Sequence, residues 1–258
     1  KTPIVMTIAG SDSGGGAGIA ADLKTFAALG VHGTCAITSV TAQNTTGVIE
    51  TFDLPPLAVA SQIDAVCTDM SVKWAKTGML ASSEIIKEVA REVRKHELSL
   101  IIDPVMAAEA GGDLLKKEAL SILIEELLPL CKVATPNASE AGAIAGIPVK
   151  TPEDAKAAAR KIADLGVEAV VVTGGHIDAT DLLYVSSLDT FTRIPGTFVK
   201  GGTHGSGCTY SAAMTAFLAC GKNLEEAARE SKKFVVQAIL KSQPAGRGVN
   251  PVNPLGST

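Results

Sequence analysis

The chain has 258 residues, 46% hydrophobic but only 3% aromatic, and a formal charge of −4. That length buries a large core without staples, and the mild charge gives no support to a nucleic-acid or membrane-surface role. Five cysteines without CxxC spacing, no secretory signal pattern and no apolar run of roughly 18 residues point to a reducing, cytoplasmic setting with no disulfide, zinc site or membrane span. In chain order, Ile4–Ala9 reads as a first strand and Gly10–Gly18 as a glycine- and serine-rich loop. A helix over Ile19–Leu29 ends at Gly30. Strands follow at Thr34–Ala42 and Val48–Phe52, then a helix at Leu57–Val66 and a strand at Val72–Thr77. Ser83–Lys95 is an amphipathic helix with Ile85, Ile86, Val89, Ala90 and Val93 on one face. Leu100–Asp103 is a strand, Leu115–Leu128 a helix and Val133–Thr135 a strand. Thr151-Pro152-Glu153-Asp154 starts a helix that runs to Leu165. Ala169–Thr173 is a buried strand, and Leu182–Ser186 with Thr190–Ile194 forms a hairpin around Leu188-Asp189. Helices at Cys208–Leu218 and Leu224–Lys241, the second capped by Asn223 with Glu226, complete the pattern.

Strands and helices alternate, so the expected architecture is α/β, with a mainly parallel sheet covered by helices on both faces and a single domain over 1–258. Ligands in such folds bind outside the carboxyl ends of the strands. The residues that follow each strand are therefore the functional candidates: Gly10–Gly18, Gln43-Asn44, Gly78-Met79, Asp103–Met106, Asn137–Glu140, Gly174-Gly175 and Gly205–Cys208.

The most specific of these is Thr203-His204-Gly205-Ser206-Gly207-Cys208, which runs into a helix. Free N–H groups and the helix dipole suit an anion there, and glycines let the backbone close around it. The helix-start field is expected to lower the Cys208 thiol pKa, which suits a base. The plainer alternative is a glycine turn before a core cysteine. The Gly10–Gly18 loop is neither a dinucleotide fingerprint nor a Walker A loop; it reads as backbone close to a ligand or as a plain connection. Asp22 lies in the first turns of the next helix, where a lone acid is ordinarily solvated. Gln43 and Asn44 each carry a carboxamide able to match an amino group beside a ring nitrogen, or to serve the turn. Asp103 and Glu140 are acids after neighbouring strands, suited to Mg²⁺ beside phosphates. Turn and N3 capping roles compete there.

Together, Ala9-Gly10-Ser11-Asp12-Ser13-Gly14-Gly15-Gly16-Ala17-Gly18, Thr41-Ala42-Gln43-Asn44-Thr45, Lys76-Thr77-Gly78-Met79-Leu80, Asp103-Pro104-Val105-Met106, Thr135-Pro136-Asn137-Ala138-Ser139-Glu140, Gly174-Gly175-His176 and His204-Gly205-Ser206-Gly207-Cys208 resemble the hydroxymethylpyrimidine and phosphomethylpyrimidine kinases of thiamine biosynthesis. The matches run in order from residue 4 to about 252. The resemblance implies a ribokinase-like three-layer α/β/α sandwich. It also implies Mg-ATP-dependent phosphorylation of 4-amino-5-hydroxymethyl-2-methylpyrimidine and then of its monophosphate by a cytoplasmic homodimer. It assigns Gly205, Ser206, Gly207 and Cys208 to an anion hole with Cys208 as base, and Gly10, Asp22, Gln43 and Met79 to the pyrimidine. Asn137, Thr173, Gly175 and His204 fall to the nucleotide, and Asp103 and Glu140 to Mg²⁺. The chain departs from the family pattern at Thr173 and Glu109, where lysine is frequent, and at Asn250, where glycine is common. Vitamin B6 kinases share much of the pattern, and a non-catalytic relative is the remaining alternative.

Overall fold

In the computed structural model, described over residues 2–107, 114–115, 117–174 and 179–257, the strands form one nine-stranded sheet. They are β1 (Ile4–Asp12), β2 (His32–Asn44), β3 (Gly47–Asp53), β4 (Trp74–Thr77), β5 (Ser99–Ile102), β6 (Cys131–Ala134), β7 (Ala169–Val172), β8 (Asp181–Val185) and β9 (Thr190–Ile194). The sheet order is β3-β2-β1-β4-β5-β6-β7-β8-β9. β2 through β7 pair in parallel, while β3 and the β8–β9 hairpin pair antiparallel at the two edges. The helices are α1 (Gly18–Ala28), α2 (Pro56–Asp69), α3 (Ser83–Lys95), α4 (Lys117–Ile122), α5 (Ala138–Ala145), α6 (Pro152–Ala163), α7 (Ser206–Ala219) and α8 (Leu224–Leu240).

Side chains alternate across the sheet with the two-residue period of a strand. Met6, Ile8, Leu100 and Ile102 pack with α2, α3, α5 and α6 on one face. Val5, Ile101, Val133 and Val171 face the opposite layer of α1, α7 and α8. The three layers follow from strands apolar on both faces.

Capping sets several boundaries. α3 has the span read from its periodicity, with the Ser82 hydroxyl accepting from Ile85 N–H. Thr151 with Asp154, and Asn223 with Glu226, close reciprocal capping boxes. Three elements depart from expectation. β1 runs on through Gly10 to Asp12, because Ser11 and Asp12 pair with Val40 and Thr41. The helix expected over 115–128 begins only at Lys117, widens into a π turn at Leu123–Leu127 and tightens at Leu128–Leu130, where Pro129 cannot continue the ladder. Helix α5 had been visible only as the capping pair Asn137 and Glu140.

From β1 the chain first crosses to β2, then returns through α2 to β4 on the other side of β1. The crevice outside the ends of β1 and β4 is thus the topological switch point, where doubly wound sheets bind ligands. Among the described residues no helix is long and apolar enough to cross a membrane.

Candidate active site

The glycine loop after β1 is folded on its own carboxylate. Asp12 Oδ1 accepts from Gly14 N–H at 2.7 Å, and Oδ2 accepts from Gly16 N–H at 3.0 Å and Ala17 N–H at 2.9 Å. His204 Nε2–H donates to the same oxygen at 2.8 Å, and both side chains are buried. The loop amides are therefore spent internally, and this loop is not an open phosphate cradle. His204, which the resemblance assigns to the nucleotide, spends its Nε2 on this contact. Its ring is bound to Asp12, its N–H donates to Asn250 O, and its carbonyl accepts from Val252 N–H. It ties the glycine loop and the 250–252 tail to the start of α7. Asn250, a departure from the family pattern, joins that tie and accepts from Ala245 N–H through Oδ1.

Burial pushes the Asp12 carboxyl upward, but the bonds from His204, Gly14 and Gly16 outweigh it and hold it below its usual 3.8. A lowered folded-state pKa stabilises the protein above the unfolded value, and that contribution is lost as pH falls through the folded value. Asp12→Asn is expected to cost about 1–3 kcal/mol near neutral pH. The gap to the parent should close below pH 3.8, which urea melts at pH 7 and pH 3 would measure.

The start of α7 is the open cradle. Gly205 is its N-cap at φ +84°, and a Cβ there would lie 1.8 Å from Gly16 O, so only glycine fits. Ser206 N–H turns back to Thr203 O and Thr209 N–H to Gly205 O. The N–H groups of Gly207 and Cys208 precede the first intrahelical bonds, and among the described residues neither has a backbone acceptor. A Cβ on Gly207 would meet nothing within 4 Å, which leaves space over those amides.

Beneath the cradle lies a group of buried charges. Lys76 Nζ is 2.9 Å from Asp22 Oδ1 and 3.9 Å from Asp103 Oδ2. Thr7 Oγ1 donates to Asp22 Oδ2 at 2.6 Å, and Ser211 Oγ donates to Asp103 Oδ2 at 3.0 Å. Asp22 is fully buried, so the solvated-acid reading fails, and direct contact with the pyrimidine fails with it. Both its oxygens are engaged inside the protein. Burial pushes Asp22 up against the pull of Lys76 and Thr7; Lys76 itself is raised, burial being outweighed by Asp22, Cys208 and Asp103.

The expected lowering of the Cys208 thiol is also corrected: burial pushes it up to about 12. Lys76 pulls it down, but Asp103 and Asp22 push it further up. A helix-start field does not outweigh desolvation beside two carboxylates.

Asp103 and Glu140 suit a hard divalent cation, being oxygen donors only. Burial and the nearby Asp103 raise Glu140 to about 8, so without a cation the pair favours holding a proton that a bound cation would displace. Glu140 also serves α5, with Oε2 accepting from Asn137 N–H while Asn137 Oδ1 accepts from Glu140 N–H. The capping and cation readings coexist.

Gly10 and Met79 meet across the crevice; a Cβ on Gly10 would lie 3.0 Å from Met79 Sδ. Gln43 is held by its backbone, which exchanges bonds with Ser13 Oγ at 2.7 and 2.8 Å. Its Oε1 accepts from Thr41 Oγ1 at 3.1 Å. Asn44 Oδ1 is consumed by Thr46 N–H and Oγ1, so Asn44 serves the turn. At the ends of β6 and β7, Thr173 N–H donates to Pro136 O, bridging Asn137 and Thr173 at the mouth. Gly175, His176 and Glu109 lie outside the described residues.

Lys76 escaped the reading from residues, although a lysine inside an apolar strand, Ala75-Lys76-Thr77, is itself a signal.

The family model for phosphomethylpyrimidine kinase matches residues 12–253. The hydroxymethylpyrimidine/phosphomethylpyrimidine kinase of Rhizobium meliloti is 45% identical over 259 residues, covering 98% of this chain and 97% of that protein. The thiamine biosynthesis bifunctional protein ThiED of Geobacter sulfurreducens is 42% identical over 96% of this chain, which spans 51% of that longer protein. Among solved structures, the ADP complex of Bacillus subtilis pyridoxal kinase superposes with a TM-score of 0.91 at 36% identity, covering 99% of this chain and 98% of the other. With the family matched over nearly its whole length, the chain belongs to the phosphomethylpyrimidine kinases, on a ribokinase-like fold.

Proposed function

We propose that this chain, as one kinase domain, transfers the γ-phosphoryl group of ATP to the hydroxymethyl oxygen of 4-amino-5-hydroxymethyl-2-methylpyrimidine, and then phosphorylates the resulting monophosphate for thiamine synthesis. The observation that carries this reading is the pair of unspent N–H groups at Gly207 and Cys208, beside a thiol at the switch point. Phosphoryl transfer asks for such donors where charge spreads over the transferring oxygens, with a base at the attacking hydroxyl. Gly205–Cys208 fill the first role and Cys208 the second. Mg²⁺ held at Asp103 and Glu140 would neutralise phosphate charge. Asn137 and Thr173, with Gly175, border the phosphates. Gly10, Met79 and Gln43 receive the pyrimidine. Asp22 contributes through Lys76 and not by contact. The five free cysteines fit a cytoplasmic protein. Exposed Ile49 and Phe52 on β3, with Leu57 at the start of α2, fit a homodimer.

An ADP-release assay with hydroxymethylpyrimidine, with pyridoxine and without acceptor tests the reading. Turnover only with pyridoxine would move the chain to the vitamin B6 kinases, which the likeness to pyridoxal kinase keeps in view. No acceptor-dependent release would make it a binding protein.

Gln43 sets the expected choice. Among the described residues its Nε2 has no hydrogen bond, so it remains available for a ring nitrogen, while Oε1 can take an amino hydrogen. Gln43→Leu leaves those ligand groups unpaired at about 1–3 kcal/mol each. kcat/KM for the aminopyrimidine should fall by roughly 30–10⁴-fold, and less for pyridoxine, which lacks the amino group. Equal losses on both substrates would make Gln43 structural.

A further inference from the structure

Five of the six arginines are engaged within the fold: Arg91, Arg94, Arg160 and Arg229 pair with carboxylates, and Arg193 has a partner as well. Arg247 is exposed and has no partner among the described residues. The backbone that bears it is nevertheless held from two sides. Gly248 N–H donates to Thr45 Oγ1 at 3.1 Å, and Val249 N–H donates to Thr45 O at 2.9 Å. A Cβ at Gly246 would lie 2.3 Å from Thr45 Oγ1, and one at Gly248 would lie 1.8 Å from Thr45 O. Both neighbours of Arg247 therefore press on the turn between β2 and β3, two residues from Gln43. On the other side, Ala245 N–H donates to Asn250 Oδ1 at 3.2 Å, and Asn250 O accepts from His204 N–H at 3.2 Å. The 245–250 segment thus bridges the turn beside Gln43 to His204, the residue that precedes the cradle.

We propose that Arg247 is a specificity-determining residue for the second phosphorylation: its guanidinium takes the phosphate borne by the monophosphate acceptor. This rests on the kinase reading given above, in its two-step form. The first acceptor offers a neutral hydroxymethyl group, whereas the second offers a phosphate with a charge of about −1.5 to −2 at neutral pH. A planar guanidinium, charged at every working pH, grips such a group through two parallel N–H···O bonds. Lys24 on α1, by contrast, is held at Gly15 O at 2.7 Å. The nucleotide is the other source of phosphate. Asn137 and Thr173, which border it in the same reading, follow β6 and β7. β2 and β6 lie four places apart in the sheet, roughly 19 Å at the usual strand spacing. Arg247, docked on the turn after β2, belongs to the acceptor side. It makes and breaks no bond in the transfer and stays a guanidinium throughout.

The test uses the whole chain with Arg247→Gln and Arg247→Lys. The thermal melt, KM for ATP, kcat/KM for hydroxymethylpyrimidine and for its monophosphate, and the calorimetric Kd of the monophosphate without ATP are read. The side chain is exposed, so both variants should melt like the parent. In Arg247→Gln, kcat/KM for the monophosphate should fall by roughly 10–100-fold, the scale of a charge-assisted hydrogen bond, and its Kd should rise in parallel. kcat/KM for hydroxymethylpyrimidine and KM for ATP should each move by no more than about twofold, as for an ordinary surface change. Arg247→Lys keeps the charge without the planar fork and should recover part of the loss. Equal losses on the two acceptors would overturn the proposal, and so would unchanged handling of the monophosphate. A loss confined to KM for ATP would move Arg247 to the nucleotide and overturn it as well. If the parent turns over neither acceptor, the kinase reading itself fails. The Kd comparison needs no turnover, and equal values in parent and Arg247→Gln would overturn the proposal independently.

Discussion

Replacing Cys208 with alanine is expected to lower kcat by roughly 10²–10⁴-fold, the scale of a lost general base, while KM for ATP stays close to the parent. The thiol sits in the first turn of α7, next to the cradle N–H groups, where an attacking hydroxyl would meet the phosphoryl group. The cavity left by one sulfur is small, so the variant should remain folded and nucleotide binding should survive. Because the thiol lies near 12 in the free protein, its thiolate fraction grows with every step of pH through the neutral range. The parent kcat should therefore climb from pH 6 to pH 9 without a plateau, and that climb should vanish in Cys208→Ala. Near-parental kcat in the variant would reduce Cys208 to a filler of the helix start. Cys208→Asp supplies a second measurement. Asp103 and Asp22 would push a carboxylate at 208 upward, toward a useful base at neutral pH, so partial recovery of kcat is expected.

Gly207→Val is expected to abolish most turnover while leaving the fold intact. A Cβ at 207 meets no protein atom within 4 Å, so the added side chain has room and need not disturb α7. The room it takes borders the Gly207 and Cys208 amides, where the proposed mechanism puts the transferring phosphoryl oxygens. Losing one such donor commonly costs roughly 10²–10³-fold in kcat, and blocking the site of approach should cost at least as much. Gly207→Ala should fall between the parent and valine. A variant with a cooperative melt and parental kcat would show that no phosphate passes over this helix start. The contrasting control is Gly205→Ala, where a Cβ would strike Gly16 O and the fold itself should suffer.

Much of this protein was readable because the deciding forces are local. The period of Ile85, Ile86, Val89, Ala90 and Val93 is enough to place α3, and hydroxyl or carboxamide caps mark where α3, α6 and α8 begin. Alternation of strands with helices implies parallel pairing, and parallel pairing puts every functional loop on one edge. The open amides at Gly207 and Cys208 were likewise legible, since glycines at a helix start need only neighbours in the chain to expose their N–H groups.

What the amino-acid order left undecided was the partner of each polar side chain. Asp12 and His204 stand 192 residues apart, yet their contact turns what reads as an open glycine loop into a closed turn. Asp22 and Lys76 stand 54 apart, and their pairing converts a surface acid into a buried anchor. The Cys208 thiol could be assigned a helix-start field from the sequence, but not the burial and the two carboxylates that reverse its shift. By itself, then, the sequence determined the order of elements, the shared edge of the strand-end loops and the open amides, because periodicity and capping act over a few residues. Only the tertiary structure decided which charges are buried together, since burial and Coulomb interaction depend on distance through space.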